Sequence, residues 1–203
     1  MKKALMILPL FFCALFAIGA AAEKNPRVLI QTDQGDITVE IFIEKAPVTA
    51  ENFLKYVDEG LYAGAAFYRV VRMDNQPRSP VRIEVIQGGI VSRETERFPP
   101  IAHETTEQTG VLHKSGAISM ARNTPGSASS EFFICVGDQP ELDFGGKRNS
   151  DGQGFAAFGI VLEGMEVVNK IQQLPTEGQM LRERVIIQNI QRITAEIKQA
   201  RGA

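Results

Sequence analysis

Few of the reactive side chains in this sequence sit in a setting that would activate them. Cys135 lies inside the continuous apolar run Phe132-Phe133-Ile134-Cys135-Val136, where a thiol packs as a small hydrophobe, so a buried and inert cysteine is expected rather than a nucleophile. His103 and His113 are ten residues apart, with no cysteine near them and only scattered acids. That spacing does not support a metal site, and structural or solvated rings are expected. Ser127, Ser129 and Ser130 follow Pro125-Gly126 without a Gly-x-Ser-x-Gly setting, which makes them loop residues rather than nucleophiles. Gly145-Gly146 has no lysine-serine pair behind it at P-loop spacing, so nucleotide binding is not supported. Arg69 is different. It sits in the strand-like run Phe67-Tyr68-Arg69-Val70-Val71, and Gln87 ends another run just before Gly88-Gly89. A lone arginine there is ordinarily a surface residue on an edge strand, and a glutamine at a strand end can simply cap the glycines. A guanidinium is also a permanent cation with its donors fixed in a plane.

The elements that would position these residues are mostly strands. Arg27 to Thr32 and Asp36 to Ile41 are β-rich, and Asp33-Gln34-Gly35 supplies the turn of a tight hairpin. From Pro47 to Glu59 the period changes: Ala50, Phe53, Leu54 and Val57 recur at helical spacing, with Pro47 or Thr49 marking the start and Gly60 the stop. Strand signals return at Ala66 to Arg72, Val81 to Gln87, Gly116 to Met120, Glu131 to Val136 and Ala156 to Val161. Gly, Pro, Asn and Ser clusters separate them. Gly164 to Gln173 reads as a second amphipathic helix and Val185 to Ile193 as a closing strand. About eight strands and two helices leave a sandwich and a barrel both open. Residues 89–115 and Phe144 to Gly154 are long loops of the kind that frame a binding site.

The chain has 203 residues, 44% apolar and 23% charged, which suits one domain with a real core. Lys and Arg total 22 against 24 Asp and Glu, and no run of five or six like charges occurs, so nucleic acid is not an expected partner. Lys2-Lys3, the apolar run Ala4 to Ala17 and the small residues Ala20-Ala21-Ala22 form the pattern of a secretory signal peptide over residues 1–22. The run is short for a transmembrane anchor, and bulky Phe11 and Phe12 before Cys13 do not suit a lipid-attachment site. Cleavage leaves residues 23–203 as a single domain with a short helical or frayed tail over 195–203. It also removes Lys2, Lys3 and Cys13, taking the net charge from −2 to −4 and leaving Cys135 as the one cysteine. The mature protein is then expected in the periplasm or outside the cell, as a monomer free of the membrane, without an internal disulfide.

Four stretches, taken in order, resemble the cyclophilin family. They are Ala46-Pro47-Val48-Thr49-Ala50-Glu51-Asn52-Phe53; Phe67-Tyr68-Arg69-Val70-Val71 with Gln87-Gly88-Gly89; Gly116-Ala117-Ile118-Ser119-Met120-Ala121-Arg122; and Ser129-Ser130-Glu131-Phe132-Phe133-Ile134. With Phe158-Gly159 and Gly164-Met165-Glu166-Val167-Val168 they cover nearly all of residues 27–193. The resemblance implies a mainly β fold, a closed eight-stranded antiparallel barrel capped by two α-helices, with a peptide groove on its outer face. It also implies a peptidyl-prolyl cis-trans isomerase whose partners are proline-containing polypeptides.

Rotation about an X-Pro bond is slow because C–N resonance raises a barrier of roughly 18–20 kcal/mol. No bond is broken, and neither cofactor nor metal is required. A catalyst has only to favour the twisted state, in which the nitrogen lone pair has left the carbonyl. By resemblance Arg69 is the catalytic donor to that nitrogen, and Phe133, Leu142 and Val85 form the proline pocket. Gln87 and the backbone around Ala121 and Arg122 hold the substrate's amides, and Phe155 closes the groove. Phe132 and Phe133 point to opposite faces of one strand, so one is core and the other groove.

Several positions depart from the family pattern. Glu84 and Val85 stand where an aromatic and a methionine are common, which makes the pocket smaller and more polar. Glu131 replaces a glutamine and brings a carboxylate near Arg69 or Arg122; Glu141 replaces a ring before Leu142. These acids together predict a preference for basic peptides, weakened by salt. The 18 positions from Arg69 to Gln87 include Asn75-Gln76-Pro77-Arg78-Ser79-Pro80, longer than the family's usual link and expected to be an exposed hairpin loop beside the groove. Two other readings stay open: a catalytically weak peptide-binding or chaperone module on the same barrel, and a small-ligand barrel that leaves Arg69 and Gln87 unexplained.

Overall fold

The alternation of apolar residues along Arg27–Thr32 (β1) and Gly35–Ile41 (β2) buries Val28, Ile30, Ile37, Val39 and Ile41 on one face of a hairpin. In the computed structural model, which describes residues 25–90 and 98–194, this hairpin is one wall of a closed barrel. The chain continues through helix α1 (Pro47–Asp58), β3 (Ala65–Val71), β4 (Val85–Gly89), the short helix α2 (Thr106–Thr109), β5 (Ala117–Met120) and β6 (Phe132–Cys135). It ends with β7 (Ala156–Glu163), α3 (Met165–Gln172), the two-residue β8 (Thr176–Glu177) and β9 (Met180–Arg192). Eight strands form the ring in the order β1-β2-β7-β5-β6-β4-β3-β9, every pair antiparallel, and β1 pairs with β9 to close it. β8 pairs only with the start of β9. Closure leaves no long unpaired edge in the ring.

The two expected helices are present and pack Phe53, Leu54, Val168 and Ile171 onto the barrel core. Pro47 sits at the start of α1, where its missing N–H costs nothing. The free donors of that first turn find a partner far along the chain: Glu104 accepts from the Val48 and Thr49 N–H groups at 3.2 and 2.7 Å. α2 is an additional helix, inside the stretch that carries little pattern. Its signal is a capping box in which the Thr105 side chain and the Gln108 backbone and side chain cap each other.

Two strand boundaries differ from expectation by more than two residues. Val81 to Glu84 is not strand, because side-chain amides take the places a ladder would fill. Gln76 donates to Ile83 O and accepts from Ile83 N–H, while Gln139 accepts from Glu84 N–H. β9 starts five residues before Val185, where the turn after β8 brings Met180 opposite Arg69. The signal segment 1–22 and the tail 195–203 lie outside the described residues. Among the described residues no helix is long and apolar enough to cross a membrane.

Candidate active site

A register shift in β3 builds the site. Phe67 pairs with Gly88 of β4 and Arg69 with Gln87, so Tyr68 is an extra residue in a bulge, and the same shift appears against β9. In a regular strand neighbours point to opposite faces; the bulge lets two consecutive side chains share one. Phe67 and Val70 therefore enter the barrel core, while Tyr68 and Arg69 both face an outer cleft. β3 lies between β4 and β9, so Arg69 is not an edge-strand residue.

Arg69 anchors a chain of hydrogen bonds. Its Nη1 donates to Gln87 Oε1 at 2.8 Å, and its Nε and Nη2 donate to Gln179 Oε1 at 3.0 and 2.5 Å. Gln87 Nε2 donates to the Tyr68 hydroxyl at 2.8 Å, which in turn donates to Glu131. The Gln87 amide thus reaches Arg69 and Tyr68 instead of capping Gly88-Gly89. Those glycines have their own reason to be there: with φ +148, a Cβ on Gly89 would lie 2.9 Å from both Glu131 Cα and Ser130 O. Burial lowers the Arg69 pKa, and burial first and Glu131 second raise that of Tyr68. A guanidinium starts so high that Arg69 remains a cation at neutral pH. Glu131, expected near Arg69 or Arg122, takes the Tyr68 hydroxyl; Arg122 pairs with Asp151 instead.

The cleft has a volume of about 450 Å³. Its apolar floor is a second cluster outside the barrel, comprising Val71, Ile83, Val85, Phe133 and Leu142 among others. Phe132 is fully buried in the barrel, and Phe133, 4% exposed, is in the floor, as the strand alternation requires. Phe133 stacks on His113 at 5.9 Å between centroids, and Phe155 meets it edge-on at 5.3 Å. His113 is a buried structural ring, held between Asp143 Oδ1 at 2.7 Å and Ser119 Oγ at 2.9 Å. His103 Nε2 lies 3.1 Å from Gln153 O. Cys135 is fully buried, and that burial pushes its thiol far above the usual range, which agrees with an inert role.

The far wall is Ala121, Arg122 and Phe155. Arg122 lies over the Phe155 ring and donates to Gly154 O and to both oxygens of Asp151 at 2.8 and 2.9 Å. The Asp151 carboxyl is held down to about 2, by these bonds first and by the Gln153 N–H second. The Ala121 N–H already donates to Glu131 O at 2.9 Å and so is not a donor to a ligand. Every expected site residue, Arg69, Val85, Gln87, Ala121, Arg122, Glu131, Phe133, Leu142 and Phe155, lines this one cleft. Glu84 and Glu141 do not. Glu141 turns away to accept the Lys147 N–H at 2.8 Å. Among the described residues the lining has three guanidiniums, Arg69, Arg122 and Arg148, and one carboxylate, Glu131. The expectation that Glu84, Glu131 and Glu141 gather at the groove is therefore overturned, and with it the ground for a preference for basic peptides.

A sequence profile described as cyclophilin type peptidyl-prolyl cis-trans isomerase/CLD matches residues 27–192. The chain belongs to the cyclophilin-type peptidyl-prolyl isomerase family. Among its cyclophilin relatives, a peptidyl-prolyl cis-trans isomerase of Acinetobacter baylyi is 35% identical over 185 residues, covering 89% of this chain and 90% of the relative. Peptidyl-prolyl cis-trans isomerase A of Dickeya dadantii is 38% identical over 167 residues, 80% of each chain. The fold is similar to that of a solved cyclophilin of Cryptosporidium parvum, with a TM-score of 0.65 at 21% identity, covering 84% of this chain and 98% of that one. A second structure of that protein, in the presence of the dipeptide Ala-Pro, gives 0.63 at 22% identity, covering 83% and 99%.

Sequence reasoning missed Tyr68, Gln179, Arg148 and Asn149. Tyr68 is next to Arg69 in the chain, and simple alternation turns it away. Gln179 comes from a turn 110 positions further on, with no local signal for its role.

Proposed function

We propose that this protein catalyses cis-trans rotation about X-Pro bonds in exported polypeptides, acting as a monomer with Arg69 as the electrostatic catalyst. The observation that carries the reading is Arg69 held by two glutamine oxygens at the rim of an apolar floor. A guanidinium has five N–H donors; three are engaged by Gln87 and Gln179, so two remain for a ligand. A proline ring seated on Phe133, Leu142 and Val85 brings its nitrogen toward them. As the bond twists, the nitrogen lone pair leaves the carbonyl and becomes an acceptor. Arg69 then donates more strongly to the twisted state than to either planar one, which is what lowers a barrier. One preorganised donor contributes about 3–4 kcal/mol in a water-poor site. Gln87 keeps its second Nε2 hydrogen for a substrate carbonyl. The relative crystallised with Ala-Pro and the isomerases of Acinetobacter and Dickeya support a proline-containing substrate. Export rests on the signal-peptide pattern of residues 1–22.

The test is the cis-to-trans rate of a short Ala-Pro peptide with and without catalytic amounts of the purified protein. Acceleration is expected. A protein that binds the peptide without accelerating it would be the peptide-binding module instead.

A further inference from the structure

The cleft carries a cation that rotation of the X-Pro bond does not use. Arg148 belongs to the glycine-rich stretch between Phe144 and Gly154 and lines the cleft with Arg69. Its Nη1 donates to Gln76 Oε1 at 3.0 Å, Ser79 Oγ at 2.7 Å and Val81 O at 2.6 Å. All three acceptors are neutral, and among the described residues no carboxylate forms an ion pair with it. Arg122, in the same cleft, shows the contrast, because Asp151 matches its charge at 2.8 Å. Burial lowers the Arg148 pKa, and the Arg69 charge lowers it further. Two partly buried cations thus repel across one cavity, and an anion between them relieves both the repulsion and the desolvation. Next to Arg148 in the lining, the Asn149 Nδ2 is buried with no hydrogen-bond partner among the described residues. A buried donor left unpaired is costly, and a turn of the Asn149 side chain toward an acceptor brought by a ligand would remove the cost.

We propose that Arg148 and Asn149 form a subsite for the carboxylate of an Asp or Glu flanking the substrate's proline, so that the groove favours acidic X-Pro sequences. The inference rests on the isomerase reading for its substrate, and adds to it a class. The positions themselves fit: the Nε and Nη2 donors of Arg148 are left over by its loop contacts, and a guanidinium presents such donors in the plane that a carboxylate matches.

The test compares the full-length protein and its variants on peptides that differ only by Glu or its isostere Gln, placed before or after the proline. For the wild type at low salt, kcat/KM for the Glu peptide is expected to exceed that for the Gln peptide by about three- to tenfold at one of the two positions, and less at high salt. Arg148→Gln brings that ratio to about one by lowering the rate on the Glu peptide more than that on the Gln peptide, while Arg148→Lys keeps part of the preference. Asn149→Ala, which leaves the Arg148 contacts to the neighbouring loop intact, also lowers the ratio. Equal rates on Glu and Gln peptides in the wild type would overturn the proposal. So would a preference that survives Arg148→Gln, or an Arg148→Gln loss equal on both peptides, which would make Arg148 a brace for the loop alone. Peptide affinity measured by NMR titration separates the subsite from the catalysis. Arg148-dependent preference for Glu without acceleration would keep the subsite and remove the isomerase reading.

Discussion

Arg69 is gripped from two directions, by Gln87 across the β3–β4 ladder and by Gln179 from the turn before β9. Gln179 is itself fixed, since its carbonyl accepts from Val70 N–H at 2.9 Å and its Nε2 donates to Asn75 O at 3.3 Å. In the proposed role Arg69 meets a transient lone pair, and a long side chain gains from such a clamp, because orientation lost costs rate rather than affinity. Gln179→Leu should therefore lower kcat by about tenfold and leave KM nearly unchanged, as measured in steady state on an Ala-Pro peptide. A rise in KM alone would make Gln179 a binding residue instead. At this scale the sequence disclosed Arg69, Gln87 and Phe133 through motif and strand alternation. It concealed Tyr68, because a bulge breaks the very alternation from which facing is read. It concealed Gln179 because proximity across 110 positions leaves no periodic trace.

The element that most shapes the cleft's rim is the segment between β3 and β4. Two prolines and a polar run suggest an exposed loop, and Pro77 and Arg78 are exposed as expected. Its centre is not: Gln76 is only 3% exposed and donates to Arg72 O at 2.7 Å and Ile83 O at 2.8 Å, while its Oε1 accepts from Ile83 N–H. A buried side-chain amide thus replaces a strand ladder, which explains why the apolar letters of Val81 and Ile83 mislead as a strand signal. Gln76→Ala leaves the Ile83 amide and carbonyl buried without partners and should destabilise the fold by about 2–3 kcal/mol, read from the denaturant midpoint. A change below about 0.5 kcal/mol would mean that water replaces the amide there. The opposite side of the rim depends on Gly154, whose φ of +62 and nearest backbone oxygen, Leu142 O at 2.5 Å from any added Cβ, admit only glycine. Helices α1 and α3 were legible in full because each buries one face at a helical period. α2, at four residues, is too short to carry a period and shows only its cap.

For the whole molecule, the ring of eight strands places one apolar layer inside and a second, smaller one outside, under the cleft. The inner layer makes the fold; the outer one supplies the floor on which Phe133 lies. Strand count could not distinguish a sandwich from this barrel, because closure is decided by the β1–β9 pairing between the two ends of the chain. Motif order carried that information where periodicity did not. The stability of such a barrel comes from its core, since the described chain has one buried free cysteine and no disulfide. The export reading has a matching consequence. The protein recovered from the periplasm or medium should begin at Glu23, by N-terminal sequencing, and its thermal midpoint should be the same with and without reductant. Retention of Met1, or a midpoint that falls on reduction, would contradict it.

In the proposed function Arg69 lowers the barrier to X-Pro rotation. Exchange NMR of an Ala-Pro peptide, run with the wild type and with Arg69→Ala at equal thermal midpoints, tests it directly. The wild type should accelerate exchange, and Arg69→Ala should lose about 10²–10³-fold in kcat/KM. Full activity in Arg69→Ala would remove that role from Arg69.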